Sequence, residues 1–375
     1  MAHAYTPGLK VLHHAKVEKN RRLPIKGKIT KEVGDLLKPE DVVAKTDLPG
    51  NVQMLKVANV LNIGPADVPD MMLVGEGDKV NKGQMIAETE GLFGFFKSNV
   101  KSPIDGTVES ISDVTGQIVM REAPIPVEVD AYMSGVVKEI IPDEGVIVEA
   151  DAAFIQGIFG IGGESRGTME ILVENREQEL TTDLLNESHK GKIVVGGSFV
   201  NLETYKKALS LQIAGIVVGG FNYYDLEEIL GYTLGVAITG SEDLVTSLIV
   251  TEGFGNIRMG SRTFDLLNKE NGKFVSINGA TQIRAGVIRP EIVIPLQESE
   301  IPETSVYQSD DRGIGEGSLV RIIRAPYFGK MGEVVSLPPE LQQMESETMV
   351  RVAEVKIDSG VLNIPRANLE MVETD

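Results

Sequence analysis

Two arginines and two glutamates in the middle of the chain have the types and spacing of an anion site. Arg284 and Arg289 carry guanidinium groups, which hold a carboxylate or a phosphate through paired hydrogen bonds, and Glu252 or Glu291 would orient them. If the two segments that carry these residues fold together, we expect a small ligand site at their junction. The same four residues also fit an internal network of ion pairs, an alternative that the sequence leaves open.

Residues for nucleophilic catalysis or for tight metal binding are scarce. The chain has no cysteine, which excludes disulfides, thiolate metal ligands and thiol nucleophiles. Its histidines are His3, His13, His14 and His189, which lack the spacing of a metal cluster or of a Ser-His-Asp set. We therefore predict no catalytic residue, no metal site and no cofactor, although the many carboxylates leave general acid–base chemistry open.

The overall charge is strongly negative but unevenly distributed. The 375 residues carry a net charge of −19, whereas residues 1–31 hold eight Lys or Arg and one Glu. An acidic body repels phosphate backbones, which argues against broad non-specific nucleic-acid binding. We interpret the basic N-terminal arm, residues 1–22, as a solvated tail, with contact to RNA or to an acidic surface as the alternative. No apolar run reaches the roughly 18 residues of a membrane span, so we expect a cytoplasmic protein.

Two short apolar strands, residues 85–87 and 106–108, are set off by turn residues and predict a small flattened β barrel. Residues 77–87 read Gly-Asp-x-Val-x-x-Gly-x-x-h-Ala, where h is apolar, and residues 102–108 read Ser-Pro-x-x-Gly-x-Val. These motifs resemble the halves of the biotinyl/lipoyl type of barrel-sandwich hybrid domain. The resemblance implies this fold and implies little about function.

Carriers of the biotinyl/lipoyl type attach their cofactor to a lysine at the tip of a hairpin. The corresponding tip of this chain lacks the Met-Lys-Met signature, which leaves Lys97 as the one nearby candidate for modification. Phe93, Phe95 and Phe96 lie beside it. Exposed apolar clusters mark partner sites, so we interpret the tip as a contact surface for a protein, with packing back onto the barrel as the equal alternative.

Both half-motifs occur twice. Residues 34–46 align without gaps on residues 77–89, and residues 132–140 align on residues 103–111. We therefore predict one duplicated barrel-sandwich region over residues 23–175.

From residue 191 onward, apolar strands alternate with helical patterns. The strands begin at Lys192, Gly215 and Gly235, and Asn201 is a predicted helix cap. Such an alternation predicts a parallel sheet that is covered on both faces. Residues 189–296 contain Gly-Lys-Ile-Val at 191–194 and Ala-Gly-Ile-Val-Val at 214–218, and they resemble the swivelling or protease-associated type of α/β domain.

The last segment, residues 316–375, follows a polar linker over residues 297–315. Its strand, aromatic turn and Gly-x-x-Gly-x-Val sequence resemble the KOW motif of transcription elongation factors and some ribosomal proteins, which implies an SH3-like barrel. The segment has six Lys or Arg against ten Asp or Glu, which favours contact with protein over contact with RNA. The candidate contact residues are basic or aromatic: Arg321, Arg324, Tyr327, Phe328 and Lys330.

The predicted fold class is therefore multidomain: a duplicated barrel-sandwich hybrid, a swivelling-type α/β domain with parallel strands, and a C-terminal SH3-like KOW barrel. We predict a non-enzymatic cytosolic scaffold or adaptor that works through protein–protein contacts and homo-oligomerisation. Two alternatives remain open. The α/β domain would serve a ligand-binding or cofactor-carrying enzyme component, or the chain would be an RNA-, ribosome- or transcription-associated KOW factor.

Overall fold

The computed structural model describes residues 9–89, 97–232, 239–240, 242, 244–282, 288–301, 314–324, 326–327, 330–344, 349–358 and 360–374. This part of the chain is mostly β structure. Eighteen of its strands are joined edge to edge in one curled sheet, and the other strands form sheets of four, three and two strands.

The strands of the first half are β1 Leu9–Arg22, β2 Lys28–Ile29, β3 Leu36–Leu37, β4 Val42–Leu48, β5 Val52–Leu55, β6 Lys79–Val80, β7 Met85–Glu88, β8 Asn99–Lys101, β9 Gly106–Ile111, β10 Ile118–Arg121, β11 Ile125–Asp130, β12 Gly135–Ile141, β13 Gly145–Gln156, β14 Phe159–Ile161 and β15 Glu164–Ile171. The strands of the second half are β16 Ile193–Val195, β17 Phe199–Val200, β18 Gly215–Phe221, β19 Ser247–Phe254, β20 Phe274–Asn278, β21 Glu291–Pro295, β22 Leu319–Ile322, β23 Met331–Ser336, β24 Leu341–Gln343, β25 Met349–Ile357, β26 Gly360–Pro365 and β27 Leu369–Thr374. The helices are α1 Val57–Leu61, α2 Val68–Met71, α3 Leu202–Ser210, α4 Tyr223–Leu230 and α5 Ser261–Lys269. No helix of the described ranges has both the length and the apolar composition needed to cross a bilayer.

The basic arm is a strand from residue 9 onward, so the interpretation of residues 9–22 as a solvated tail was wrong. β1 pairs antiparallel with β13, from Val11 opposite Ile155 to Arg22 opposite Gly145. The apolar side chains of β1 are buried: Leu9, Val11, Leu12, Ala15 and Val17. This alternation of apolar and basic residues is the pattern of a half-buried strand, and the excess of positive charge concealed it.

Acidic partners hold the cations of β1. Arg21 bonds Glu164 at 2.6 Å and Asp130 at 3.0 Å, and Lys16 lies 3.6 Å from Glu149 on the neighbouring strand. Glu149 also accepts a hydrogen bond from Lys138 Nζ at 2.6 Å. The basic arm is thus neutralised by the acidic body of its own chain.

The Lys138 ammonium lowers the pKa of Glu149 below its ordinary value of 4.5. A lowered pKa stabilises the fold above pH 4.5, and this contribution is lost as the pH falls through the folded-state pKa. We expect Glu149→Gln to reduce the melting temperature slightly at pH 7 and to leave it unchanged at a pH where the wild-type carboxyl is protonated. Glu128→Gln, on the exposed side of β11, is the matched control. If the difference in melting temperature between the wild type and Glu149→Gln grew in acid, the lowered pKa of Glu149 would be contradicted.

The two copies of the half-motifs fold alike. The Gly77 amide donates to the Val108 carbonyl at 2.7 Å, and at the equivalent position the Gly34 amide donates to the Val137 carbonyl at 2.8 Å. Both glycines have positive φ, +90° and +93°, which glycine adopts without steric cost.

The strand registers also correspond between the copies. Val80 of β6 lies opposite Gly106 of β9, and Leu37 of β3 lies opposite Gly135 of β12. The sequence repeat therefore corresponds to a structural repeat with the same pairing.

The middle region contains the predicted parallel strands. β15, β16, β18 and β19 are neighbours in that order, and each adjacent pair is parallel. α3 begins after Asn201, whose side chain accepts a hydrogen bond from the Thr204 amide at 2.8 Å, as the sequence predicted. The strand predicted to begin at Gly235 lies outside the described residues, and on the side away from β16 the strand β18 pairs with β19.

Antiparallel strands make up the C-terminal sheet, β22 to β27. β22 pairs with β23 and with β27, while β25 pairs with β23, β24 and β26. Its own apolar core includes Val320, Val334 and Val355. β27 pairs parallel with β1 on its other side, which ties this sheet to the rest of the chain. Most of the predicted linker, residues 302–313, lies outside the described residues.

Candidate functional site: a buried ion-pair network and an apolar groove

Glu252, predicted to orient an anion, lies in β19 and is almost fully buried. Its Oε2 accepts from Arg321 Nη2 at 2.8 Å, and its Oε1 accepts from the Gly260 amide at 2.9 Å. Arg321 Nη1 donates to the Thr251 carbonyl at 2.8 Å. Both oxygens of the carboxylate thus have partners within the fold.

Arg321, predicted as a partner-contact residue, is only 3% exposed. It joins β22 of the C-terminal sheet to β19 of the parallel sheet instead of facing outward, because the buried Glu252 carboxylate requires a cation. Arg324 and Lys330 are exposed, and Lys330 Nζ lies 5.9 Å from the centre of the Tyr327 ring. Phe328 lies outside the described residues.

The remaining members of the predicted anion site have other partners. Arg289 forms an ion pair with Glu370, a buried residue of β27. Glu291 lies 2.5 Å from Lys19 of β1. Arg284 lies outside the described residues, so a ligand site that includes it stays a prediction.

Burial raises the pKa of Glu370, while the neighbouring cations Arg289 and Arg321 oppose this rise. Glu370 Oε2 has no hydrogen-bond partner among the described residues, and neither has Arg321 Nε. Arg289, Glu370, Arg321 and Glu252 therefore form one mostly buried network with two cations and two carboxylates. This network holds β19, β22 and β27 together.

Lys97, the candidate for modification, is half exposed and lies 3.2 Å from Glu88 Oε2 at the end of β7. The predicted contact residues Phe93, Phe95 and Phe96 lie outside the described residues. No three His, Cys, Asp or Glu side chains in the described part of the chain are arranged to hold a metal ion.

An apolar groove lies on the barrel that contains β6 to β10. It is shallow and open to solvent, with a volume of about 540 Å³, and five of its seven lining residues are apolar: Pro69, Met72, Leu73, Val74 and Ile111, with Gly75 and Glu76 as the others. The Leu73 side chain is 56% exposed, although its amide is held by the Ile86 carbonyl at 2.8 Å. On the opposite side the Ile111 amide donates to Glu76 Oε1 at 2.8 Å. The groove thus combines a fixed backbone with an exposed apolar side chain.

Sequence reasoning did not select the groove. The sequence feature that corresponds to the groove is the apolar run at residues 71–74, directly before the Gly-Glu-Gly-Asp turn. In a barrel of this size such a run is usually buried, so the pattern alone does not distinguish a core segment from a contact surface.

Residues 66–131 match the family model of the RnfC barrel sandwich hybrid domain. No curated protein matches the chain significantly. The matched range contains the groove and one copy of each half-motif, at residues 77–89 and 103–111. The chain therefore contains a barrel-sandwich hybrid domain at residues 66–131, within a mostly β fold.

Proposed function

We propose that this protein is a non-enzymatic cytosolic adaptor whose barrel-sandwich hybrid domain docks an apolar side chain of a protein partner. The observation that carries the proposal is the groove beside Leu73. Contiguous apolar patches on a fixed backbone mark contact sites, and Leu73 lies in one groove with Met72, Val74 and Ile111.

The groove has room for more than one side chain of a partner to lie against Leu73. Burial of a leucine side chain on association contributes about 1.5–3 kcal/mol, so Leu73 would supply a large share of the binding free energy. The half-buried neighbours Met72 and Ile111 would exclude water around it. We propose that the partner is a second copy of the chain, and a different protein is the alternative that the experiment below distinguishes.

The finer fold assignments are part of this proposal. We assign residues 189–296 to the swivelling type of α/β domain, supported by the parallel order of β15, β16, β18 and β19. We assign residues 316–375 to the KOW type of SH3-like barrel, supported by the antiparallel pairing of β22 with β23 and β27. RNA contact through Arg324, Tyr327 and Lys330 is the second candidate function, and the contact of Lys330 with the Tyr327 ring favours it.

The Leu73→Ser variant tests the adaptor proposal. We expect it to lower the association constant for self-assembly, or for a captured partner, roughly tenfold or more, since the lost apolar contact is worth about 1.5–3 kcal/mol. Light scattering over a concentration series measures self-association, and quantitative affinity capture from native lysate measures other partners.

Leu341→Ser is the matched control, because Leu341 is 54% exposed on β24 of the C-terminal sheet. Its assembly and capture profile should equal that of the wild type. A wild-type chain that stays monomeric at high concentration, and whose captured proteins do not change with Leu73→Ser, would contradict the proposal.

A further inference from the structure

The strand β5, Val52–Leu55, lies at one end of the four-stranded sheet that also contains β10, β9 and β6. It pairs antiparallel with β10, and no second strand of the described residues lies along its other edge. None of its residues lines the groove beside Leu73. The open edge of β5 is therefore a surface apart from the proposed adaptor groove.

The hydrogen-bond register shows which backbone groups of β5 face outward. The Glu122 amide donates to the Asn51 carbonyl at 2.9 Å, so these opposed residues form a hydrogen-bonded pair. Such pairs alternate with non-hydrogen-bonded pairs along an antiparallel ladder. Val52 and Met54 lie one and three positions farther along β5, so they belong to non-hydrogen-bonded pairs. Their amides and carbonyls therefore point away from β10, toward the open edge.

The same two residues carry exposed apolar side chains. Val52 is 49% exposed and Met54 is 65% exposed, and Val119, which lies opposite Met54 on β10, is half-buried on the same face. Contiguous apolar side chains on the surface of a sheet mark contact sites. An end strand that combines them with open backbone groups is a template for pairing with another strand.

β5 lacks the features that normally protect an end strand from such pairing, which are lysine, proline and bulges. Its sequence, Val-Gln-Met-Leu, contains no charge and no proline, and its register against β10 is regular. At the other end of the same sheet, β6 carries the exposed Lys79. Because β5 is uncharged, it can meet an identical strand without like-charge repulsion across the pair, although the whole chain has a net charge of −19.

We propose that β5 pairs antiparallel with β5 of a second copy of the chain, about a two-fold axis at Gln53. In this register Val52 of each copy lies opposite Met54 of the other, so the outward amides and carbonyls of both strands gain partners. The apolar side chains of these residues form cross-strand pairs. On the axis, the two Gln53 side chains can each donate to and accept from the other. The strand is thus complementary to itself, as a two-fold contact requires.

This pairing goes beyond the proposed docking at Leu73, because it uses backbone hydrogen bonds and needs no occupant in the groove. A contact of four residues per copy is small, and complexes with small interfaces dissociate readily. A covalent trap is therefore the suitable measurement. The chain has no cysteine, so a single introduced thiol reports on one position.

Oxidation of the full-length Gln53→Cys variant under mild conditions tests the proposal. Opposed residues of a non-hydrogen-bonded pair have Cα atoms about 4.5 Å apart, a distance that a disulfide spans. Asn51→Cys is the matched control, because it is also exposed. In the proposed register the two copies of residue 51 lie about 13 Å apart along the strands, too far for a disulfide. We expect a disulfide-linked dimer to form from Gln53→Cys at least tenfold faster than from Asn51→Cys.

Met54→Lys in the Gln53→Cys background should slow dimer formation at least tenfold, because it places a charge on the edge. The melting temperature of the reduced protein should not change, since the Met54 side chain is exposed and its backbone groups do not bond β10. Leu73→Ser in the same background should leave the rate unchanged, which separates this contact from the groove.

Three results would overturn the pairing of β5: no disulfide-linked dimer from Gln53→Cys, equal rates for Gln53→Cys and Asn51→Cys, or a rate that Met54→Lys does not change. A rate that falls with Leu73→Ser but not with Met54→Lys would overturn it as well, and would assign self-association to the groove.

Discussion

Arg321→Met should lower the free energy of unfolding by about 3–5 kcal/mol, because it leaves the buried Glu252 carboxylate without its cation. The exposures of the two side chains are 4% and 2%, so water cannot replace the lost partner. The Thr251 carbonyl also loses its donor. Since the pair joins β19 to β22, we expect the C-terminal sheet to detach first from the parallel sheet.

Urea denaturation, followed by circular dichroism and by hydrogen exchange of β22 and β19, measures this effect. Arg324→Met is the matched control, since Arg324 lies on the same segment but is exposed. The double variant Arg321→Met with Glu252→Gln should recover a large part of the loss, because no buried charge is then left unpaired. A loss as small as that of Arg324→Met would show that the pair contributes little to stability.

Deletion of residues 1–22 should abolish the cooperative unfolding transition of the remaining chain. β1 pairs antiparallel with β13 and places four apolar side chains in the core: Leu9, Val11, Leu12 and Val17. Burial of each of these contributes about 1.5–3 kcal/mol, and the sum is comparable with the 5–15 kcal/mol that stabilises a whole domain. Without β1, the edge of β13 would also lose its hydrogen-bond partners.

Thermal and urea unfolding of the truncated chain, with solubility as a second readout, measure this result. Deletion of residues 1–8 is the control, because it shortens the chain while it keeps β1 whole. If the chain that starts at residue 23 unfolds at the wild-type temperature, the pairing of β1 with β13 is not required for the fold.

Local patterns in the sequence were sufficient to predict several elements. The Asn201 cap of α3 could be predicted because its signal lies within a few residues. The strand at residues 193–195 could be predicted because its apolar run is continuous. The duplicated glycine turns at Gly34 and Gly77 were found by alignment of the chain with itself. The barrel-sandwich assignment, made for residues 23–175, is confirmed over the part that the family model matches, residues 66–131.

Features that depend on pairs of distant residues could not be predicted. Glu252 was predicted to orient an anion or to join an internal ion-pair network with Arg284, Arg289 and Glu291. It lies in a buried strand, and its cation is Arg321, about 70 residues away, which no local pattern connects with it. β1 was interpreted as a solvated tail because its many cations concealed the alternation of apolar and polar residues. Arg176 and Lys330 line one cleft although they lie far apart in the sequence, and no local pattern connects them.

The parallel pairing of Leu9 with Val372 has a consequence for biosynthesis. A ribosome delivers β1 early, and β13 can cover one of its edges soon afterward, but β27 emerges only after most of the chain has been made. During that interval residues 9–11 of β1 have open backbone groups on this edge, which are prone to intermolecular association. We expect the nascent polypeptide to depend on chaperones until translation has passed this strand.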